Sequence, residues 1–445
     1  MPSMQQAEAG AEQRSRPRIK MNPAAKRVLT GGVRLMSPGS PRSPPPSYGS
    51  IVTVLSIDGG SVCGIIPGTI LALFDRRRQR RCYETNANPP EDTFPPRDRY
   101  SDVHGPEERL GLPVLLLLGP EDYPDVRRRY ITRAPSILWT FAPGTRAPWH
   151  RPFGLMRSMT GPKYNGEYGV PPHDREEAPR RHTVCDTLNN VVIPTFDIKL
   201  LQPTIFSTYN AMKDKSKNAL RSDVCISTSA APTYLPGHHF QTEDEDGKLR
   251  DFNLIDGGVA ANNPTLLAMT DVSKQILMGN KDFFPIKPAD YGKFMILSLG
   301  TGTAKIEEKF DAVECSKWGL LGWLSNRGAT PIIDSFSQAS ADLVDIHASV
   351  LFQALHCEKR YLRIQDDELK GETAFVDVST PENLNRLVDV GQALLKRQVC
   401  KVNVETGKNE PDQNRGTNEK ELVNFAHMLS EERKTRLRQN GGVDF

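Results

Sequence analysis

The sequence predicts an α/β protein with a mainly parallel sheet, and three corners of the chain carry that prediction. The apolar runs Val52–Ile57, Phe252–Ile255 and Phe294–Leu299 each end in a glycine turn: Asp58-Gly59-Gly60, Asp256-Gly257-Gly258 and Gly300-Thr301-Gly302. The first two turns lead into stretches with helical spacing. Strand, turn and helix in succession give a sheet with helices on both faces, and ligands then sit beyond the carboxyl ends of the strands. The three turns are therefore expected on one rim.

Composition sets the frame. At 445 residues the chain has room for two or three domains, or for one large α/β domain with extensions. It is 38% hydrophobic, enough for a sizeable core, and its net charge of +3 is too balanced for a nucleic-acid binder. The seven cysteines are scattered without metal-ligand spacing, and no secretory leader is legible. A reducing compartment and no metal are expected. The longest aliphatic run, Val114–Leu118, is far too short to span a bilayer, so contact with a membrane is expected from one side at most.

In order, residues 1–50 are rich in Pro, Ser and Arg and have no hydrophobic period, which predicts a disordered arm. The first corner follows. Val52, Val54, Leu55 and Ile57 read as a buried strand, and Ile66, Ile70, Leu73 and Phe74 read as one face of a helix with Pro67 near its first turn. Backbone N–H groups at such a helix start stabilise negative charge, a phosphate or the oxyanion of an acyl-transfer intermediate. Residues 75–160 then carry two Arg runs and two Pro pairs with almost no apolar period, and read as mostly irregular.

Order returns near Tyr164. Val191–Ile198 and Thr204–Phe206 read as pairing strands, and Glu243–Gly247 reads as a hairpin tip, since it lacks calcium-loop spacing. At the second corner Asn263-Pro264 starts a helix with Leu266, Met269, Val272 and Ile276 on its apolar face. Ile332, Phe336, Ala339, Leu343, Ile346 and Val350 predict one long amphipathic helix. Tyr361–Ile364 reads as a late strand, Thr380-Pro381 opens another helix, and residues 401–445 read as a charged tail with one helix from Glu419 to Arg438. Trp318-Gly-Leu-Leu-Gly-Trp323 has a composition suited either to a water–lipid boundary or to core packing.

Several of these stretches carry a resemblance: VLSIDGGSVCGIIPGTILALF, NVVIPTFDIKLLQPTIFS, SDVCISTSAAPTYLP, FNLIDGGVAANNPTLLAM, MILSLGTGT and KWGLLGWLSN. Together they resemble the patatin-like phospholipases, plant lipid acyl hydrolases in particular, over residues 51–400 with the interruption at 75–160. The resemblance implies a three-layer α/β/α fold and a Ser–Asp dyad without histidine. It further implies hydrolysis of acyl esters of membrane phospholipids and galactolipids, in the cytoplasm or at membranes, with no cofactor and a place in plant defence. Oligomeric state stays open.

The family's dyad aspartate matches Asp256 in the motif Asp256-Gly257-Gly258, and its oxyanion loop matches Gly59, Gly60 and Ser61. Two positions depart from that loop's pattern: Ser61 stands for a glycine and Cys63 for an arginine. The family's nucleophile elbow, Gly-x-Ser-x-Gly, is absent from the whole sequence, and the Arg- and Pro-rich stretch stands where it belongs. Ser61 and Ser158 are poor substitutes, since neither lies in such an elbow. The chain is then either a diverged relative or a product of wrongly joined exons near residue 75, and the well-matched flanks favour the second. An alternative reading is a non-catalytic lipid- or anion-binding relative.

Overall fold

In the computed structural model the described residues are 51–72, 74, 162, 164, 183–187, 190–280, 283, 286–304, 310–326, 329–403 and 405–439, all within the unit Ser47–Phe445. The strands are β1 (Val52–Ile57), β2 (Val192–Asp197), β3 (Gln202–Ser207), β4 (His238–Glu243), β5 (Leu249–Ile255), β6 (Phe294–Leu299), β7 (Tyr361–Ile364), β8 (Cys400–Val402) and β9 (Asn409–Pro411). The helices begin with α1 over 65–72. They continue with α2 (Thr208–Lys213), α3 (Arg221–Thr228), α4 (Gly258–Ala261), α5 (Thr265–Leu277), α6 (Ala312–Cys315), α7 (Leu320–Leu324), α8 (Pro331–Ala354), α9 (Pro381–Lys396) and α10 (Asn418–Gln439).

β6 is buried along its whole length and runs parallel to both its neighbours, in the order β1-β6-β7. Its alternate residues feed two cores, as the pleat requires. Met295, Leu297 and Leu299 join Ile66 and Ile70 of α1, Leu384 and Leu387 of α9, and Leu422 and Phe425 of α10. Phe294 and Ile296 point the other way, onto Met269 and Val272 of α5 and Phe352 of α8. Helices therefore cover both faces of a parallel sheet, the α/β arrangement the sequence predicts. The segment after Val402 contributes to this core through α10.

Registers of Ile57 with Leu299, and of Leu299 with Ile364, bring the carboxyl ends of all three parallel strands to one level. The strand of the second corner, β5, lies in a separate antiparallel sheet of order β3-β2-β5-β4. Its short connection to β4 allows only an antiparallel pairing. That hairpin tip is closed by the Asp244 carboxylate, which accepts the N–H groups of Asp246 and Lys248, with Gly247 at φ 80°. It is the turn expected from the sequence. The pairing of β2 with β3 is likewise the expected one, with Ile193 opposite Phe206.

The long helix α8 forms where its period predicts, but its faces are reversed. Phe336 is 75% exposed and Leu343 54%, while the buried side is made by Ala341, Asp345, Ala348, Ser349 and Phe352. Small residues allow the helix to lie close on the sheet, and Asp345 is drawn inward by Arg363 of β7. An ion pair and close approach decide the orientation, and the most apolar stripe is left outside.

Candidate active site

The first corner is tied down on every side. As β1 ends, the Asp58 N–H donates to Leu299 O at 2.9 Å, and the Gly59 N–H donates to Asn262 O at 2.9 Å. Thr301 Oγ1 donates to Gly59 O at 2.6 Å. These two bonds join the first corner to the segment following the second and to the third. The three glycine turns do share a rim, as the sequence predicts.

Ser61 opens the 3-10 turn Ser61–Gly64 at φ 47°, a left-handed conformation natural to glycine and strained for a side chain. Beyond it, the Val62 N–H donates to Val376 O and the Cys63 N–H to Gly60 O. Cys63 is buried under the 373–376 segment, and burial pushes its thiol up to about 12, so it carries no reactive thiolate. The N–H groups of Gly60 and Ser61 have no acceptor among the described residues. The Gly59 N–H does have one, Asn262 O.

The second corner fixes Asp256. Its N–H donates to Ala230 O at 3.1 Å, and the next N–H, of Gly257, donates to Thr228 O. Only glycine fits at position 257, since a Cβ there would fall 2.2 Å from Pro194 O of β2. The Asp256 carboxylate accepts the Gly258 N–H. Burial raises its pKa to about 6, with that one backbone bond pulling the other way. No hydroxyl lies within hydrogen-bond distance of it among the described residues. A carboxylate tuned upward by burial is what a general base needs, and among the described residues it has neither a positive partner nor a hydroxyl to act on.

The side chain of Asn262 stands between the two corners: Cβ atoms added at Gly59 and Gly258 would lie 2.6 and 3.3 Å from its Oδ1. Behind it runs a buried network that sequence reasoning missed. Arg363 grips Asp58 with two bonds, at 3.0 and 2.6 Å, reaches Asp345 through Nε at 3.1 Å and touches Ser298 Oγ at 3.1 Å. Asp345 accepts from Asn263 Nδ2 at 2.8 Å. Thr265 Oγ1 bonds both Ser56 and Ser298 at 2.9 Å. One guanidinium cannot neutralise two carboxylates in a dry interior. Burial accordingly holds Asp58 up at about 6 against the pull of Arg363, and it raises Asp345 as well. Burial also works against the charge on Arg363, but the two aspartates outweigh it and raise its pKa. The legible signals were a lone arginine in the apolar strand Tyr361–Ile364 and an aspartate at position 345, one helical turn from Ala341, Ala348 and Ser349.

No family model matches the chain. Individual relatives do. It is 47% identical to patatin-like protein 2 of Arabidopsis thaliana over 411 residues, which cover 90% of this chain and 97% of that protein. It is 47% identical to patatin-like protein 1 of Oryza sativa subsp. indica, covering 90% and 94%. The chain belongs to the patatin-like proteins. It is also 35% identical to the probable inactive patatin-3-Kuras 1 of Solanum tuberosum, over 88% of this chain and 96% of that one. In this patatin-like chain the matched aspartate and oxyanion corner lie on one rim, while the stretch expected to hold the nucleophile, together with Ser158, lies outside the described residues. Among the described residues, no His, Cys, Asp and Glu group could hold a metal, and no helix is long and apolar enough to cross a membrane.

Proposed function

We propose that the chain carries the site of a patatin-type lipid acyl hydrolase, with its base and oxyanion corner in place and its serine absent. In such a site Asp256 takes the proton of a serine hydroxyl as that oxygen attacks the acyl carbonyl of a phospholipid or galactolipid at a membrane surface. The N–H groups of Gly60 and Ser61 receive the oxyanion that forms. No cofactor enters the step. The observation that carries the reading is Asp256 itself, half-buried, raised to about 6, and accepting the Gly258 N–H with no hydroxyl in reach among the described residues.

A site without its nucleophile turns over little or no ester, since removing a catalytic serine costs about 10⁶ in rate. The resemblance to a probable inactive relative supports this half of the proposal. The test is hydrolysis of nitrophenyl butyrate, phosphatidylcholine and a galactolipid by the purified chain, with fluorophosphonate labelling alongside. Turnover at the background rate and no labelled peptide are expected. Robust fluorophosphonate-sensitive hydrolysis would sink the proposal, and the labelled peptide would then show whether Ser61 or another serine serves.

A further inference from the structure

α7 and α8 pack together and turn apolar side chains to solvent. On α8 the exposed stripe includes Phe336 and Leu343; on α7, Leu320 is 76% exposed and Leu321 68%. Trp323 is half-exposed and packs edge-on against Trp318 at 5.4 Å. Isolated exposed apolar residues are ordinary, but two adjoining helices that both leave several large ones outside are not.

This face adjoins the site. α8 packs on α4, the helix that begins two residues after Asp256.

Charge decides between occupants. Neither α7 nor α8 contains a lysine or arginine, while α8 carries Asp334 and Asp342 beside its stripe. An anionic membrane draws proteins at about 1 kcal/mol per nearby cation, and these helices offer none. A second copy bound by two-fold symmetry would bring the same aspartates together from both chains, with no cation on either helix to offset them. A lipid surface without net charge meets neither objection, and tryptophan beside leucine suits its boundary.

We propose that the outward face of α7 and α8 docks the protein on a lipid surface of zero net charge, beside the mouth of the acyl-hydrolase site. The inference rests on the acyl-hydrolase reading for its orientation, but its test does not need turnover. The full-length chain is sedimented with phosphatidylcholine vesicles, alone and with phosphatidylglycerol added. Wild type is expected to bind both equally and independently of salt. Phe336→Asp with Leu343→Asp should weaken binding about 10–100-fold at an unchanged melting temperature. Leu320→Ser with Leu321→Ser, on the other helix, repeats the test should the first pair unfold. The proposal is overturned by wild type that leaves phosphatidylcholine unbound, by variants that bind as well as wild type, or by binding that requires phosphatidylglycerol. Concentration-dependent dimerisation removed by the same variants, without vesicle binding, assigns the face to a second copy and overturns it too. Vesicle binding without hydrolysis keeps the docking face and leaves the acyl-hydrolase reading to its own assay. A chain that ignores vesicles while its nitrophenyl butyrate turnover stays at background removes the docking face alone.

Discussion

Arg363 and Asp58 form a two-pronged ion pair inside the protein, 305 residues apart in sequence and joined at 3.0 and 2.6 Å. It locks the end of β1 to β7 beneath the glycine rim, and through Asp345 and Asn263 it reaches the segment after Asp256.

Arg363→Met should therefore destabilise strongly, because it strands two buried carboxylates. The expected loss is about 3–5 kcal/mol at pH 7 by urea unfolding. It should shrink toward pH 5, where Asp58, held up at about 6, takes up a proton. An equal loss at pH 5 and pH 8 would mean that packing, and not charge, accounts for it.

Asp256→Asn should make the protein more stable at high pH. The folded pKa of about 6 lies above the ordinary aspartate value of about 3.9, so the native state binds this proton more tightly than the unfolded chain. That contribution is complete below pH ~4 and is lost as pH rises through ~6. The asparagine variant escapes the loss and should be more stable by about 1–3 kcal/mol at pH 8, with the gap closing near pH 4. Thermal unfolding across this range reads the effect, and a gap that is flat with pH would contradict it.

Ser61→Val should cost about 1–2 kcal/mol although the side chain is exposed, since a β-branched residue is forced into a left-handed conformation. Denaturation of the variant beside Ser61→Gly checks this, and the glycine variant should be at least as stable as wild type. A harmless valine would show that the turn relaxes.

Replacing residues 75–160 with a family-like strand, Gly-x-Ser-x-Gly elbow and helix should raise ester hydrolysis by about 10⁴-fold or more, and Asp256→Asn in that background should remove about as much. A grafted chain that stays silent, though folded and labelled by fluorophosphonate, would place the defect in the corner at Ser61. Sequencing the transcript across codons 70–165 separates a diverged gene from a mis-joined one.

The three corners were legible because glycines at the end of an apolar run have few structural meanings, and the hairpin tip and the pairing of β2 with β3 were legible because their signals are equally local. What lay beyond reading was long-range. Nothing local says that Arg363 will find Asp58, or that Asp345 will turn α8 around so that Phe336 faces water. A hydrophobic period predicts a helix but assumes that its apolar side goes inward, and one buried ion pair overrode that assumption.

Gly257 has a consequence for how such chains age. Its lack of a Cβ is demanded by Pro194 O, and Asp58 is demanded by Arg363, whether or not any ester is ever cleaved. Purifying selection on folding alone would keep Gly257 and Asp58 in place long after a lineage had lost its nucleophile. Among paralogues, these signatures record ancestry, and only the serine elbow reports a living enzyme.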